Sequence, residues 1–385
     1  LGLLEKCAMG GVANAEGALG RNKDGYVGVA LQRGAVDLIL LGIATDDQGR
    51  IETALSAFRY GFDHQDADGG FPVEGARFGM VGQVDAGGKA SSAAFFLGAV
   101  GMGLRLLQES EFASLAQQEL ETLRPSLRRA MDWLASQRQA LERYDAETPN
   151  RLLFDAVAFT ANGQLLDDAS LQQIGAAFLD DALQRQRADG VFVEKGGHDS
   201  SYQATSLMLL QQYWLIASDE ASADRAHQSV ATGMAWEKTR ILPSGEVSAE
   251  GNTRTGLGQE QWLGSVKGIN YSEVVRALHF WSGIGPDPAS RELAKRVLAF
   301  GEATHGSQQK PSGSGTAPGG TADNRALLKQ KQEELRTLKD QPGTSRQLIK
   351  RAEQYYKEAE RMYHAGQIDA ALRLMDQAIQ VLRSP

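Results

Sequence analysis

Four short turns recur along the chain, and they set the unit from which it must be built. "DGYV" begins at Asp24, "DGGF" at Asp68, "DGVF" at Asp189 and "SGEV" at Ser244. The last three run on alike, as "DGGFPVEG", "DGVFVEKG" and "SGEVSAEG". Such a pair reads as a tight turn that enters a short extended piece. An amphipathic helical stretch precedes each of these three turns, and a loop and a more apolar helix follow it. A further copy is degenerate. "MDWLASQRQALERYDAETPN", from Met131, keeps the helix and lacks the Asp-Gly.

Two kinds of helix alternate. In Leu171–Leu183 the apolar Leu171, Ile174 and Phe178 recur at helical spacing, while Gln172, Gln173, Asp180 and Asp181 face away. That pattern marks a surface helix with one buried stripe. Ala93–Leu107 and Tyr202–Ile216 are apolar nearly all round, so both of their sides need cover. The run "AAFFLGAVGMGL", Ala93 to Leu104, is shorter than the ~18 residues of a membrane span and predicts a core helix. Strand signals are confined to the short pieces after the turns.

Alternating surface and buried helices fit an open superhelix or a closed ring. The buried helices are too apolar for an open concave face, which favours the ring. "HQDADGGF" and "RQRADGVF" resemble the turn that recurs in (α/α)-toroid proteins, among them terpene cyclases and polysaccharide lyases: a Gln-bearing helix end, Asp-Gly, then an aromatic. The expected fold is therefore all-α. An (α/α) toroid, incomplete or of five to six helix pairs, occupies residues 1–304, with helices near 31–44, 93–108, 150–162, 201–217 and 270–283 as its inner layer. Residues 305–322, "HGSQQKPSGSGTAPGGTA", read as a Gly/Ser/Pro linker with a reach of roughly 24 Å. Residues 323–385 read as a three-helix module. Its "YYKEAERMYHAGQIDAALRLMDQAIQVL" resembles one tetratricopeptide-type hairpin, with Ala359, Gly366, Ala371, Met375 and Ala378 at that motif's positions. A single unit cannot bury its own face, which implies a protein partner or an assembly role.

Composition narrows the function classes. A net charge of −8 argues against a nucleic-acid partner, and it requires a local gathering of basic residues if the substrate is acidic. Cys7 is the only cysteine, so an internal disulfide and a cysteine-rich zinc site are excluded. Leu1 in place of Met suggests a processed form or a piece of a longer chain, from which a signal could have been removed. The compartment is left open, with an extracytoplasmic one favoured. No cofactor is implied.

In a ring, the loops enter the inner helices at one mouth, where helix N-termini favour anions. Two loops carry the richest chemistry. "EKGGHDSSY" supplies Glu194, His198 and Tyr202. "EGNTRTGLGQEQWLGSVKGINY" supplies Asn252, Arg254, Trp262, Lys267, Asn270 and Tyr271. Ser200 with Gln203, and Asn270 with Glu273, also match a capping box. The resemblance to toroid lyases implies β-elimination on a uronate-containing polysaccharide. His198 and Tyr202 would then be the acid/base pair and Asn252 and Arg254 the neutralisers of the carboxylate. Trp262, Lys267, Asn270, Tyr271, Glu194 and His64 would bind substrate, without a metal. Two other readings stand beside this one. A toroid glycoside hydrolase would draw two carboxylates from Asp66, Asp68, Glu74, Glu194, Asp199, Glu250 and Glu260. A ring with a polar mouth could also bind glycan or protein without turnover. A terpene cyclase is disfavoured, because "DAD" at Asp66–Asp68 lacks the longer acidic cluster such enzymes use.

Overall fold

Aspartate caps five of the helices. In the computed structural model, which describes residues 2–8, 11–20, 27–73, 85–256, 259–262, 265–285, 287–305, helical positions between 331 and 359, and 368–383, the N-terminal part runs as follows. α1 is Gly2–Cys7, and a 3₁₀ turn, Val29–Gly34, leads into α2, Ala35–Thr45. Then come α3 (Gln48–Asp63), α4 (Ala86–Gln108), α5 (Ala113–Ser136), α6 (Arg138–Tyr144), α7 (Pro149–Leu165) and α8 (Ala169–Leu183). α9 (Ser200–Ile216), α10 (Glu220–Thr239), α11 (Tyr271–Ile284) and α12 (Ala289–His305) complete it. Asp47, Asp85, Asp168, Asp199 and Asp219 each accept a backbone N–H of the first turn. Such caps contribute about 1 kcal/mol apiece.

The cap of α9 corrects one expectation. Asp199, not Ser200, takes the free N–H groups, at 3.1 Å from Ser201 and 3.2 Å from Tyr202. With those donors satisfied, Ser200 Oγ donates to the Ser248 carbonyl at 2.8 Å. Gln203 turns instead to the preceding turn, donating to the Gly190 carbonyl and accepting from the Phe192 N–H, both at 2.9 Å. Asn270 does cap α11, accepting from the Glu273 N–H at 3.3 Å.

The chain is all-α; among the described residues the one strand ladder is a hairpin of β1 (Gln261–Trp262) and β2 (Ser265–Val266). The helices pack as successive pairs: α2 with α3, α4 with α5, α7 with α8, α9 with α10 and α11 with α12. The first members also touch in series, from α2 to α4, α7, α9 and α11. α4, α7 and α9 are buried nearly all round, whereas α5 and α10 bury one stripe. α2 and α11 are themselves joined by a buried ion pair, Asp37 Oδ2 to Arg276 Nη1 at 2.6 Å. Helix pairs arranged in this way are compatible with a helical toroid or a repeat fold. α4 extends well beyond the apolar run noted in the sequence, and at 23 residues it is long and apolar enough to cross a membrane. Here α2, α5, α6, α7 and the 3₁₀ turn cover it.

The recurring turns tie the second members of the pairs to one another. In each, the N–H of Gly69, Gly190 or Gly245 bonds at 2.9 Å to the carbonyl three residues earlier. Two residues later, Phe71, Phe192 and Val247 are buried. Gln65 and Gln186 play the same part. Each amide donates at 3.0 Å to the turn's own glycine carbonyl, and at 3.0 Å to a carbonyl of the next outer helix, Ser126 of α5 or Ser229 of α10. The third copy has Ile241 at that place and lacks the bond. Gly190 has a φ of 88°, and a Cβ on it would lie 2.3 Å from the Thr232 carbonyl of α10.

The second compact unit, Lys310–Pro385, has its own core of Leu335, Ala352, Ala359, Met375, Ala378, Ile379 and Leu382. α13 (Ile368–Arg383) contributes the last four of these. Ala359, Met375 and Ala378 of the tetratricopeptide-like pattern are thus buried. Gly366, the Ala371 side chain and the linker positions from 306 to 322 lie outside the described residues.

Gly190→Ala should destabilise the N-terminal unit far more than Gly196→Ala. Both glycines have positive φ, which costs an L-residue about 1–2 kcal/mol. Only Gly190 also meets backbone, whereas nothing lies within 4 Å of a Cβ on Gly196. Chemical denaturation should therefore show an extra loss of about 2 kcal/mol or more for Gly190→Ala. Equal losses would remove the turn's role as a link between helices.

Candidate functional site

The two polar loops singled out from the sequence meet in space. "EKGG" forms a two-residue hairpin, in which Glu194 and Gly197 exchange backbone hydrogen bonds at 2.9 and 3.1 Å. Lys195 and Gly196 both have positive φ, the conformation that a type I′ turn requires. His198 then bridges to Asn252, and the Thr253 N–H donates to the His198 carbonyl at 2.9 Å. Asp199 fastens the junction. Its Oδ1 caps α9, while its Oδ2 accepts the N–H groups of Arg254 at 2.9 Å and Thr255 at 2.7 Å. The Thr255 hydroxyl sits 3.1 Å from both carboxylate oxygens.

Above this junction lies a compact charge cluster. Arg254 is 5% exposed; its Nη1 donates to Glu194 at 2.6 Å and its Nε to Glu260 at 3.0 Å. Its guanidinium carbon lies 3.8 Å from the centre of the Tyr202 ring. Lys267 donates to the Tyr202 hydroxyl, with its ammonium on the phenol-oxygen side and 4.6 Å from the ring centre. Glu260 binds three cations at once: Arg254, Lys195 at 2.6 Å and Lys267 at 3.3 Å.

These environments pull the titrating groups apart. Burial pushes Glu194 up to about 7, against the opposing pull of Arg254. Glu260 goes the other way: burial raises it, but hydrogen bonds from Arg254 and Lys195 outweigh that and bring it down to about 2. Burial raises Tyr202, with Arg254 opposing. Burial and the neighbouring Arg254 together lower Lys267. The phenol and the ammonium, close in proton affinity in water, are therefore driven apart, so that Lys267 gives up its proton before Tyr202 does.

The remaining residues expected at the site take other positions. His198 Nε2 lies 3.1 Å from the Glu250 carbonyl, and its ring is edge-on to Trp236 of α10 at 5.4 Å. Asn252 is buried and holds the loops: its Oδ1 accepts from the Ser200 N–H at 3.1 Å and its Nδ2 donates to Thr255 at 2.7 Å. Asn270 caps α11. Tyr271 begins that helix, with its ring 5.6 Å from Phe300 of α12. His64 ends α3, its Nδ1 2.9 Å from the Tyr60 carbonyl. Trp262 is on β1, and its side chain lies outside the described residues, as does all of Glu74. Asp66 binds Lys89 at 2.8 Å and Asp68 accepts the Gly70 N–H at 2.9 Å, so both serve the turn. An open depression of about 790 Å³ lies beside the junction, lined by Lys195, Glu250, Asn252, Thr253 and Gln259. Tyr202 is not part of its lining.

Sequence reading missed several charged groups. Asp145, Asp155 and Glu237 are fully or almost fully buried. Asp145 accepts from Ser91 at 3.1 Å and from Arg151 at 3.2 Å, and burial pushes it up to about 6. Burial raises Asp155 and Glu237 as well. A legible signal existed. Asp155 interrupts the apolar "RLLFDAVAF", and Glu237 falls at the next stripe position after Val230 and Met234. Among the described residues no group of three or more His, Cys, Asp or Glu is placed to hold a metal ion. Comparison of the chain with protein-family models and with curated proteins gives no match.

Glu194 makes stability depend on pH in a defined direction. Its carboxyl moves from an ordinary 4.5 to about 7, so the folded chain keeps a proton that the unfolded chain has released between those values. Stability from this group is therefore lost as pH rises through that window. On lowering the pH from about 7.5 to about 5.5, the melting temperature of the wild type should gain on that of Glu194→Gln, which carries no proton equilibrium there. A constant difference between the two would show that Glu194 is not held protonated.

Proposed function

We propose that the N-terminal unit is an (α/α) toroid whose mouth is the site of a carbohydrate-active enzyme. In this reading it is a polysaccharide lyase that cleaves an acidic, uronate-containing glycan by β-elimination. The serial contacts of α2, α4, α7, α9 and α11, and the Asp37–Arg276 pair between the first and the last, support closure of the ring. One observation carries the chemistry. Tyr202, at the third position of α9, has a guanidinium on its ring face and an ammonium on its oxygen.

β-Elimination needs a proton taken from the carbon beside the carboxylate and a proton given to the departing oxygen. A phenol can do both if its anion is stabilised; Arg254 favours that anion, against the burial that raises Tyr202. Tyr202 is the proton carrier. Lys267 hydrogen-bonds its oxygen and, being biased towards the neutral form, gives up a proton more readily than the phenol does, so it can return a proton to a phenolate. Glu194 and Glu260 hold the Arg254 guanidinium, so Arg254 orients and polarises Tyr202 instead of clamping the substrate carboxylate. Asn252 and His198 hold the loops in place. The basic residues that an acidic substrate requires are gathered locally, although the chain as a whole is acidic.

A hydrolase reading has one observation in its favour. Glu194 and Glu260 bind the same guanidinium, and their proton affinities are driven apart, as an acid and its partner carboxylate require. Glu194 is only 2% exposed, however, which leaves it little access to a glycosidic oxygen.

Incubation with uronate polymers separates these readings. The lyase yields new absorbance from the unsaturated sugar, and Tyr202→Phe lowers its rate about 10²-fold or more with the fold intact. Reducing ends released without that absorbance would favour the hydrolase. Glycan retention with neither product would make the unit a binding module.

A further inference from the structure

The first halves of α4, α7, α9 and α11 carry a set of half-buried side chains among buried neighbours. Phe95 belongs to α4, Arg151 and Phe154 to α7, Tyr202 to α9 and Glu273 to α11. Arg33 belongs to the 3₁₀ turn that leads into α2. Farther along these helices the side chains close up, with Ile39, Leu104, Phe159, Leu209 and Leu278 all at 0 or 1% exposure. Within this set Arg33 lies against Phe95 and Phe95 against Phe154, so these three side chains form one half-buried group.

Arg33 is the unusual member. Its side chain keeps accessible surface although protein surrounds it, and burial lowers its proton affinity. It donates to the Ala30 carbonyl at 2.9 Å. Among the described residues it enters no ion pair. Its charged neighbours are Glu273, Arg276, Tyr202 and Asp37. Arg276 and Asp37 pair with each other, and Glu273 is hydrogen-bonded by the Thr205 hydroxyl. The Arg33 guanidinium lies 5.5 Å from the centre of the Phe95 ring, and the Phe95 and Phe154 rings are 4.3 Å apart. An internal guanidinium without a carboxylate partner, beside two partly open aromatic rings, has the makings of a ligand pocket: an apolar wall and a single polar anchor.

We propose that Arg33 binds the carboxylate of a uronate residue in the ring mouth, with Phe95 and Phe154 as the surface on which its pyranose ring stacks. The planar fork of a guanidinium matches a carboxylate bidentately. The apolar face of the sugar covers aromatic surface that is otherwise left open to water. This rests on the lyase reading for the substrate class, and it assigns Arg33 the carboxylate-binding role that the buried, doubly paired Arg254 cannot fill.

Calorimetric titration of the whole chain tests it, in a Tyr202→Phe background so that nothing turns over. The probes are the trimers of galacturonate, mannuronate and guluronate, and the same trimers with their carboxyl groups reduced to alcohols. With Arg33 present, at least one acidic trimer should bind about 10- to 100-fold tighter than its reduced form, the scale of a hydrogen bond to a charged group. Arg33→Gln should bring the two to equal affinity. Phe154→Leu, which keeps Arg33, should weaken both forms alike. Preference for the acid that survives Arg33→Gln in a folded protein overturns the proposal, as does Phe154→Leu with unchanged binding of both. Absence of binding by all three trimers also overturns it. If the trimers bind as expected but the wild type forms no unsaturated product, the lyase reading falls and the Arg33 site stands.

Discussion

One carboxylate holds the site together. Asp199 accepts the first N–H groups of α9 on one oxygen and the N–H groups of Arg254 and Thr255 on the other. A buried carboxylate must have its lone pairs satisfied, and a helix N-terminus favours negative charge. Asp199 meets both conditions only if the 252–255 loop folds back onto α9. The loop is long and glycine-rich and has little packing of its own, yet this bond set fixes its path. Arg254 consequently arrives over the Tyr202 ring with its guanidinium already engaged by Glu194 and Glu260.

The larger frame serves the same end. The Gly-containing turns after α3, α8 and α10 press against α5, α10 and α12, which pins three of the four steps between successive second members of the pairs. Gln65 and Gln186 add a side-chain bond at two of these contacts. Pinning the second members of the pairs fixes where the loops enter α9 and α11, next to the Tyr202, Arg254 and Lys267 cluster. Inside, the Asp37–Arg276 pair joins elements 239 residues apart in sequence. Removing one member of such a pair leaves a bare buried charge, which makes it a strict geometric condition on the fold.

Much of this frame was legible in the sequence, because period and turn chemistry are local properties. Two kinds of helix and the turns follow from residues near one another in the chain, and the meeting of the two polar loops follows from their order, each leading into one of two neighbouring helices. Individual roles were less legible. Asn252 has the same residue type whether it faces a ligand or holds Ser200 and Thr255, and only the three-dimensional partner decides. His198 was assigned proton transfer by type, but its ring packs at Trp236 and the Glu250 carbonyl. The sequence allowed either Asp199 or Ser200 as the cap of α9, and the choice between them depends on the distant Arg254 and Thr255 amides. Arg33 escaped notice because a lone arginine before a helix reads as surface. Its turn packs mainly on α4, and the charges of Glu273 and Arg276 act on it from α11, both far from it in sequence.

Amide hydrogen exchange in Asp199→Asn tests the central bond set most directly. The substitution keeps the size of the side chain but turns one acceptor into a donor that faces backbone N–H groups. The amides of Ser201, Tyr202, Arg254 and Thr255 should lose protection together, while those in the middle of α4 and α7 keep theirs. Wild-type protection at Arg254 and Thr255 in that variant would show that the loop is held by something other than Asp199.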